Sequence, residues 1–293
     1  MNLNQLYYFK KLAELKHFTL TAKELFITQP SLSGSISSLE EELGLELFHR
    51  QGRTITLTKY GEQFYKHISA ALNELEKGIE YAQEESGTLG GVIDIGCIPT
   101  IIGDYLPLAI HNYQNRVNSK TKFNIYNAMS LEIIAGIKSG KYDVGFCSYV
   151  DNEPDIQFTP VLTQELILLV NANHPLALQE LVSLHDLHGF SLITYRKNIP
   201  LGKEIMKLLQ AHGLQANHAF DDEITIGGEV CSSDVAAITA RTPFLAQFSS
   251  LKSIKLDVPP DTRKVYMCYS KPSYHTRPVE IFTDYVVRNE CKI

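Results

Sequence analysis

The chain has 293 residues, 44% of them hydrophobic and 20% charged, with a formal net charge of −6. That length exceeds one typical domain and predicts two or three, each with its own core. No apolar run reaches the roughly 18 residues of a membrane span. The opening MNLNQLYYFKKLAEL is amphipathic and lacks the apolar core and cleavage site of a signal peptide, so a cytoplasmic protein is expected.

The five cysteines (Cys97, Cys147, Cys231, Cys268, Cys291) are odd in number, far apart and without a CxxC pair. That pattern fits neither a secreted disulfide framework nor a zinc site. Buried thiols acting as small apolar residues are expected, with thiol-based sensing through Cys97, Cys147 and Cys231 as the alternative. No cofactor is implied.

In chain order, a first helix is expected over residues 2–15, where Leu6, Phe9 and Ala13, with Leu3 and Leu12, recur at helical spacing. Thr19 is placed to cap a second helix that buries Ala22, Leu25 and Phe26. Thr28 caps a third, with Pro30 tolerated in its first turn and Leu32, Ile36, Leu39 and Leu43 as its core stripe. Ser31, Ser33, Gly34, Ser35, Ser37 and Ser38 leave a small polar outer face. Gly44 stops that helix. Leu47–Thr58 then alternates like a two-stranded ribbon about a turn at Gln51-Gly52, flanked by Arg50 and Arg53. Two helices around a tight turn followed by a ribbon describe a winged helix-turn-helix, whose second helix enters the DNA major groove.

Charge supports that reading only in part. In residues 1–58, Lys10, Lys11, Lys16, Lys23, Arg50 and Arg53 are balanced by Glu14, Glu24, Glu40, Glu41, Glu42 and Glu46. Phosphate contacts supply most non-specific affinity, so such affinity is expected to be modest. Arg50 and Arg53 are candidates for phosphate or minor-groove contact.

From Thr58 to about Glu85 a long helix carries Phe64, Ile68, Leu72, Leu75, Ile79 and Ala82 at steps of three and four. So narrow a stripe suits a two-helix seam, and dimerisation is expected in preference to packing within its own domain. Ser86-Gly87-Thr88-Leu89-Gly90-Gly91 reads as an interdomain hinge. Beyond it strands and helices alternate: strand Val92–Cys97, helix Asp104–Arg116, strand Lys122–Tyr126, helix Leu131–Ser139 and strand Tyr142–Ser148. A second series follows, with strands Leu166–Val170 and Leu192–Thr194, helices Pro200–His212 and Cys231–Ile238, strand Val265–Ser270 and a closing helix Val279–Asn289. This order predicts an α/β domain with a mainly parallel sheet.

His185-x-x-His188 has no third ligand at metal spacing and reads as a solvated turn. Ser139-Gly140-Lys141 lacks the spacing of a phosphate loop and reads as a helix end. No nucleophile elbow, dinucleotide fingerprint or catalytic triad arrangement is present, so no enzyme is expected.

The strings MNLNQLYYF, FTLTAKEL, ITQPSLSGSISSLEEELGLELFHR and GRTITLTKYG, followed by GGVIDIGCIPT, YLPLAIHNY, SGKYDVGF, TQELILLVNANHPLA and LVSLHDL, resemble the LysR-type transcriptional regulators in order and spacing. The resemblance covers essentially the whole chain. It implies a mixed fold: an N-terminal winged helix-turn-helix (residues 1–58), a linker and dimerisation helix (59–87), and an α/β two-lobed effector domain (88–293) resembling type II periplasmic solute-binding proteins. One lobe would combine 92–162 with 268–293; the other would be 163–267.

The resemblance places Thr28, Gln29, Pro30, Ser31 and Ser33 at the groove-facing start of the recognition helix; Thr19 and Ser35 are further candidate DNA contacts. Gln29 has the chemistry to pair with adenine, and Thr or Ser can serve either donor or acceptor. Gly34 stands where the family usually carries Arg or Lys. Lys23 stands where it has a small or acidic residue, a candidate replacement cation. In the effector domain, Pro99, Thr100 and Ile101 follow a strand and open a helical region, as Met129 and Ser130 do. Backbone donors and hydroxyls there suit a carboxylate; helix capping by Thr100 and Ser130 is the alternative. Tyr149, Thr194 and Tyr195 would complete the rim. The family's glycines after the last cross-lobe strand are absent from Val230-Cys231-Ser232-Ser233-Asp234-Val235.

The expected function is therefore transcriptional regulation, with operator DNA, a small effector such as an organic anion, a second copy of the chain (as dimer or tetramer) and RNA polymerase as candidate partners. The competing reading is a solute-binding or transferase-like protein whose N-terminal helices serve only assembly.

Overall fold

The computed structural model describes residues 1–51, 54–85 and 91–288. It divides into two compact units, one of Met1–Gly87 with Ser139–Lys141 and one of Thr88–Lys138 with Tyr142–Ile293.

The first unit contains α1 (Leu3–Leu15), α2 (Phe18–Glu24), α3 (Gln29–Leu43), the antiparallel pair β1 (Phe48–Gln51) and β2 (Thr54–Leu57), and α4 (Lys59–Glu85). A reciprocal capping box between Asn2 and Gln5 starts α1. α2 is capped two residues earlier than expected. His17, not Thr19, is its N-cap, with Nδ1 accepting from the Leu20 N–H at 3.3 Å, and Thr21 Oγ1 donates back to the His17 carbonyl. Thr28 caps α3 through the Ser31 N–H at 3.3 Å, and Gly44 closes it at φ 68°. Phe26 is not a core residue: it stands in the turn at φ 55°, 96% exposed.

Phe9 centres this core, stacked edgewise on Phe64 at 5.0 Å and tilted against Phe48 at 5.4 Å. Leu12, Leu32, Ile36, Leu39, Leu47, Ile55, Ile68 and Leu72 surround it. This corrects the reading of α4. Phe64, Ile68 and Leu72 pack into their own unit, whereas Leu75 and Ile79 are 38% and 48% exposed. The same three-and-four spacing serves both purposes, and α1 covers only the first half of the stripe. Glu40, Glu41 and Glu42 fall within the last turns of α3, where Glu40 Oε1 accepts from the N–H groups of Leu47 and Phe48 at 2.8 and 3.1 Å. In the ribbon Gln51 pairs with Thr54 and belongs to the strand. Arg53 lies outside the described residues, as do residues 86–90 of the expected hinge and Cys291.

The second unit contains β3 (Val92–Cys97), a 3-10 turn Pro99–Ile101, α5 (Tyr105–Arg116), β4 (Lys122–Asn127), α6 (Ser130–Lys138), β5 (Val144–Cys147) and β6 (Ile156–Thr163). It continues with β7 (Leu166–Asn171), β8 (Leu181–Ser183), β9 (Leu192–Tyr195), α7 (Pro200–Ala211), β10 (Asn217–Phe220) and α8 (Glu223–Ser232). The last elements are β11 (Ala236–Ala240), β12 (Leu251–Asp257), β13 (Lys264–Ser270) and α9 (Arg277–Val287).

Two sheets form, ordered β4-β3-β5-β13-β6 and β10-β9-β11-β7-β12-β8, each with its own core. They define two lobes. The chain crosses between them twice, from β6 to β7 and from β12 back to β13. The return strand begins at Lys264, four residues before the expected 268. Both sheets are mixed: β13 is antiparallel to β5 and β6, and β7 to β11 and β12. β7 is buried from Leu166 to Val170, which is why its sequence is an unbroken apolar run. The expected helix over Cys231–Ile238 is replaced by the end of α8 and the start of β11, since a short apolar run does not announce its period. Val230–Ser232 therefore close a helix and do not follow a strand. Strands β6, β8, β10 and β12 were not anticipated.

Candidate functional site

The outer face of α3 follows from its buried stripe. With Leu32, Ile36 and Leu39 turned inward, Thr28, Gln29, Pro30, Ser31 and Gly34 are exposed, while Ser33 and Ser35 are half-buried on its flanks. Ser35 also faces α1, its carbonyl accepting from Gln5 Nε2 at 3.5 Å. Thr19 and Lys23 are exposed on α2. A Cβ built on Gly34 meets nothing within 4 Å, so this position opens onto free space. Arg50 lies in β1 opposite Ile55.

Between the two lobes of the second unit is a cavity of about 30 Å³, lined by Ile98, Pro99, Thr100, Met129, Ser130, Ser148, Tyr195, Ile199, Leu201, Asp221, Glu223 and Arg263. It has room for little more than one water. Five of these residues, Pro99, Thr100, Met129, Ser130 and Tyr195, are among those the family resemblance points to. Neither hydroxyl caps a helix. The Thr100 Oγ1 is buried without a partner, and Ser130 Oγ accepts from the Ser148 N–H at 3.3 Å.

Three expected residues lie elsewhere. Ile101 is fully buried in the core of the first lobe. Thr194 alternates to the opposite face of β9 from Tyr195 and donates to the Ile238 carbonyl at 2.8 Å. Tyr149 turns outward, clustered with Phe158 at 4.9 Å and Tyr266 at 5.6 Å beside a surface hollow.

The charged centre of the cavity came from residues that periodicity passes over. Arg263, immediately before β13, is 1% exposed; its Nη1 donates to Ser148 Oγ at 2.7 Å and reaches Glu204 Oε2 at 3.4 Å. Its Nε has no partner among the described residues. In the same lining the Tyr195 hydroxyl donates to Glu223 and accepts from the Ala240 N–H at 3.1 Å. Burial raises the Glu223 carboxyl above the ordinary carboxylate range against the downward pull of that hydroxyl. Burial, reinforced by the Glu223 charge, holds Tyr195 well above the usual phenol. Glu204 is raised by burial and pulled down by Arg263. At the rim Asp221 pairs with Arg196 at 2.7 Å.

Gln164, between β6 and β7, joins the lobes, its Nε2 donating to the Thr100 carbonyl at 3.1 Å and the Arg241 carbonyl at 3.2 Å. Nothing in DTRKVYMCYS or DDEITIGG marks Arg263 or Glu223 as buried, because an acid opening a helix is ordinary. Among the described residues no group of three or more His, Cys, Asp or Glu is placed to hold a metal. His185 and His188 lie on a short 3-10 turn with rings 5.6 Å apart.

Residues 3–62 match the profile of the bacterial regulatory helix-turn-helix proteins of the lysR family, and residues 86–290 match the LysR substrate-binding domain. The chain belongs to the LysR family. It is a LysR-type DNA-binding transcriptional regulator, with a winged helix-turn-helix followed by a two-lobed effector-binding domain.

An uncharacterized HTH-type regulator of Bacillus subtilis, YybE, is 31% identical to this LysR-family chain over 289 residues, covering 98% of each. A hydrogen peroxide-inducible genes activator of Pectobacterium carotovorum is 32% identical over 193 residues, 66% of this chain and 64% of that protein. The effector-binding domain of QuiR in complex with shikimate is 28% identical with a TM-score of 0.63, covering 68% of this chain and 96% of that domain. Full-length CbnR complexed with its target DNA shares the fold, with a TM-score of 0.79 at 19% identity over 99% of this chain and 100% of that one.

Proposed function

We propose that this regulator reads double-stranded operator DNA through the exposed start of α3, and that a small organic acid in the interlobe cavity sets how it does so. Thr28, Gln29, Pro30, Ser31 and Gly34 face the groove, flanked by Ser33 and Ser35. Thr19, Lys23, Arg50 and Arg53 supply contacts around them. Leu75 and Ile79 join two copies along α4 as a dimer or a larger assembly. RNA polymerase is the partner through which altered DNA geometry changes transcription, and the protein acts in the cytoplasm; no helix among the described residues is long and apolar enough to cross a membrane.

One observation carries the effector reading. Two buried polar atoms without partners, Arg263 Nε and Thr100 Oγ1, belong to residues lining the same cavity. Buried donors left unmatched are rare and costly, and an anionic oxygen would satisfy both. The ligand of QuiR, shikimate, is itself a carboxylate. A cavity of about 30 Å³ admits such a molecule only as the lobes part and reclose around it, shifting the populations of two states.

Gel-shift titration against DNA upstream of the protein's own gene tests the first half. A sequence-preferring shift weakened by Gln29→Ala supports it; no preference and no effect of that change would point to the solute-binding alternative. A thermal-shift screen of organic acids tests the second, because a ligand selective for the folded state raises stability by mass action.

A further inference from the structure

The cavity lining has two chemical poles. Its donor pole is the Thr100 hydroxyl and the Arg263 Nε, both without a partner among the described residues, with Ser130 at the start of α6. Its acid pole is Glu223, 3% exposed at the start of α8 and within reach of the Arg263 charge, with Asp221 two residues before it. The carboxylate of Asp221 is engaged by Arg196. Among the described residues the Glu223 carboxyl has one side-chain donor, the Tyr195 hydroxyl, whose single proton is thereby used.

The charges decide what fits. Arg263 is already partly neutralised by Glu204 at 3.4 Å and Asp221 by Arg196 at 2.7 Å, which leaves Glu223 as the lining carboxyl without a cation of its own. A ligand bearing only a carboxylate would satisfy Arg263 and bring a further negative charge against Glu223, whose burial weakens screening by water. A ligand bearing a carboxylate and a cationic donor matches both poles and leaves the site's charge unchanged.

Resting on the reading of the cavity as the effector site, we propose that the effector is a small zwitterionic aminocarboxylate, its carboxylate held by Thr100 and Arg263 and its ammonium by Glu223. Glu223 is then the specificity-determining residue: it distinguishes an amino acid from the same skeleton without the amine. Tyr195 positions Glu223 and makes no choice of its own.

Calorimetric titration of the full-length protein tests this with the common amino acids, each paired with its desamino and its hydroxy analogue, in wild type, Glu223→Gln and Thr100→Val. At least one amino acid should bind about tenfold or more tightly than either analogue, the scale of a hydrogen bond to a charged group. Glu223→Gln, which keeps an acceptor for Tyr195, should erase that preference. Thr100→Val should weaken amino acid and analogues alike.

Desamino or hydroxy acids binding as well as the amino acids, or a preference that survives Glu223→Gln, would overturn the zwitterion while leaving the organic-acid reading intact. Absence of binding by every carboxylate in wild type would overturn both. Binding that Thr100→Val leaves unchanged would remove the carboxylate from that pole, and with it the orientation proposed.

Discussion

Gln164 and Arg263 lie side by side on the two chain segments that cross between the lobes, the Gln164 N–H donating to the Arg263 carbonyl at 3.0 Å. Each also spans the cleft with its side chain. Gln164 holds the Thr100 and Arg241 carbonyls, and Arg263 holds Ser148 and Glu204. The crossing is thus where backbone continuity and interlobe bonding coincide, and motion of one lobe against the other must strain these bonds.

Gln164→Ala removes both bridging donors and strands two carbonyls. It should destabilise the effector unit by about 1–3 kcal/mol, read as a lower urea midpoint with an unchanged slope. Proteolysis of the native protein should quicken as the lobes part more often.

The raised Glu223 carboxyl sets a pH dependence of definite sign. A carboxyl with a folded pKa above its unfolded value of about 4.5 favours the folded state below that value, and the contribution is lost as pH rises through the raised pKa. Glu204 acts in the same direction. Wild type should therefore lose stability relative to Glu223→Gln as pH rises from 4, below the unfolded value, to 8. Paired melting curves at the two pH values check this; a constant difference would count against it.

Gly34 opens onto free space in a helix interior. Gly34→Arg should gain about 0.5–1 kcal/mol of helix stability and add a cation to the face proposed to meet DNA. Fluorescence anisotropy at several salt concentrations should show tighter DNA binding, with the log–log salt slope steeper by about 0.9 for each added phosphate contact.

The two halves of the α4 stripe predict opposite phenotypes. Leu75→Lys with Ile79→Lys should leave melting of the N-terminal unit near wild type and shift sedimentation toward monomer. Ile68→Ala should cost about 2–5 kcal/mol before it affects association.

Three of the four described cysteines, Cys97, Cys147 and Cys268, are buried, and burial pushes the thiols of Cys97 and Cys268 upward. Thiolate character and access govern oxidation, so among these four Cys231 should react first with a thiol reagent in the native protein. Fast modification of Cys97 or Cys147, mapped by mass spectrometry, would revive thiol sensing.

What could be read from the chain was local. Thr28, Pro30 and Gly44 mark α3 because capping and left-handed termination are settled within a few residues. The strand–helix alternation after Val92 is legible for the same reason. Arg263 and Glu223 were not legible, since their burial depends on two lobes built from distant segments. Thr194 and Tyr195 could not be told apart until the facing of β9 was known. The α4 stripe spoke for an apolar partner but not for which one.

Glu40 ties the last turns of α3 to the first residues of the wing through the Leu47 and Phe48 N–H groups. A carboxylate so near a DNA-reading surface looks like a defect in a phosphate-binding protein. Its effect is mechanical: helix and ribbon are pinned into one reading head with little internal play. On the proposed reading, an effector signal leaves that head unchanged and repositions whole heads along the duplex, changing which stretches of DNA are read together and not the letters each head prefers.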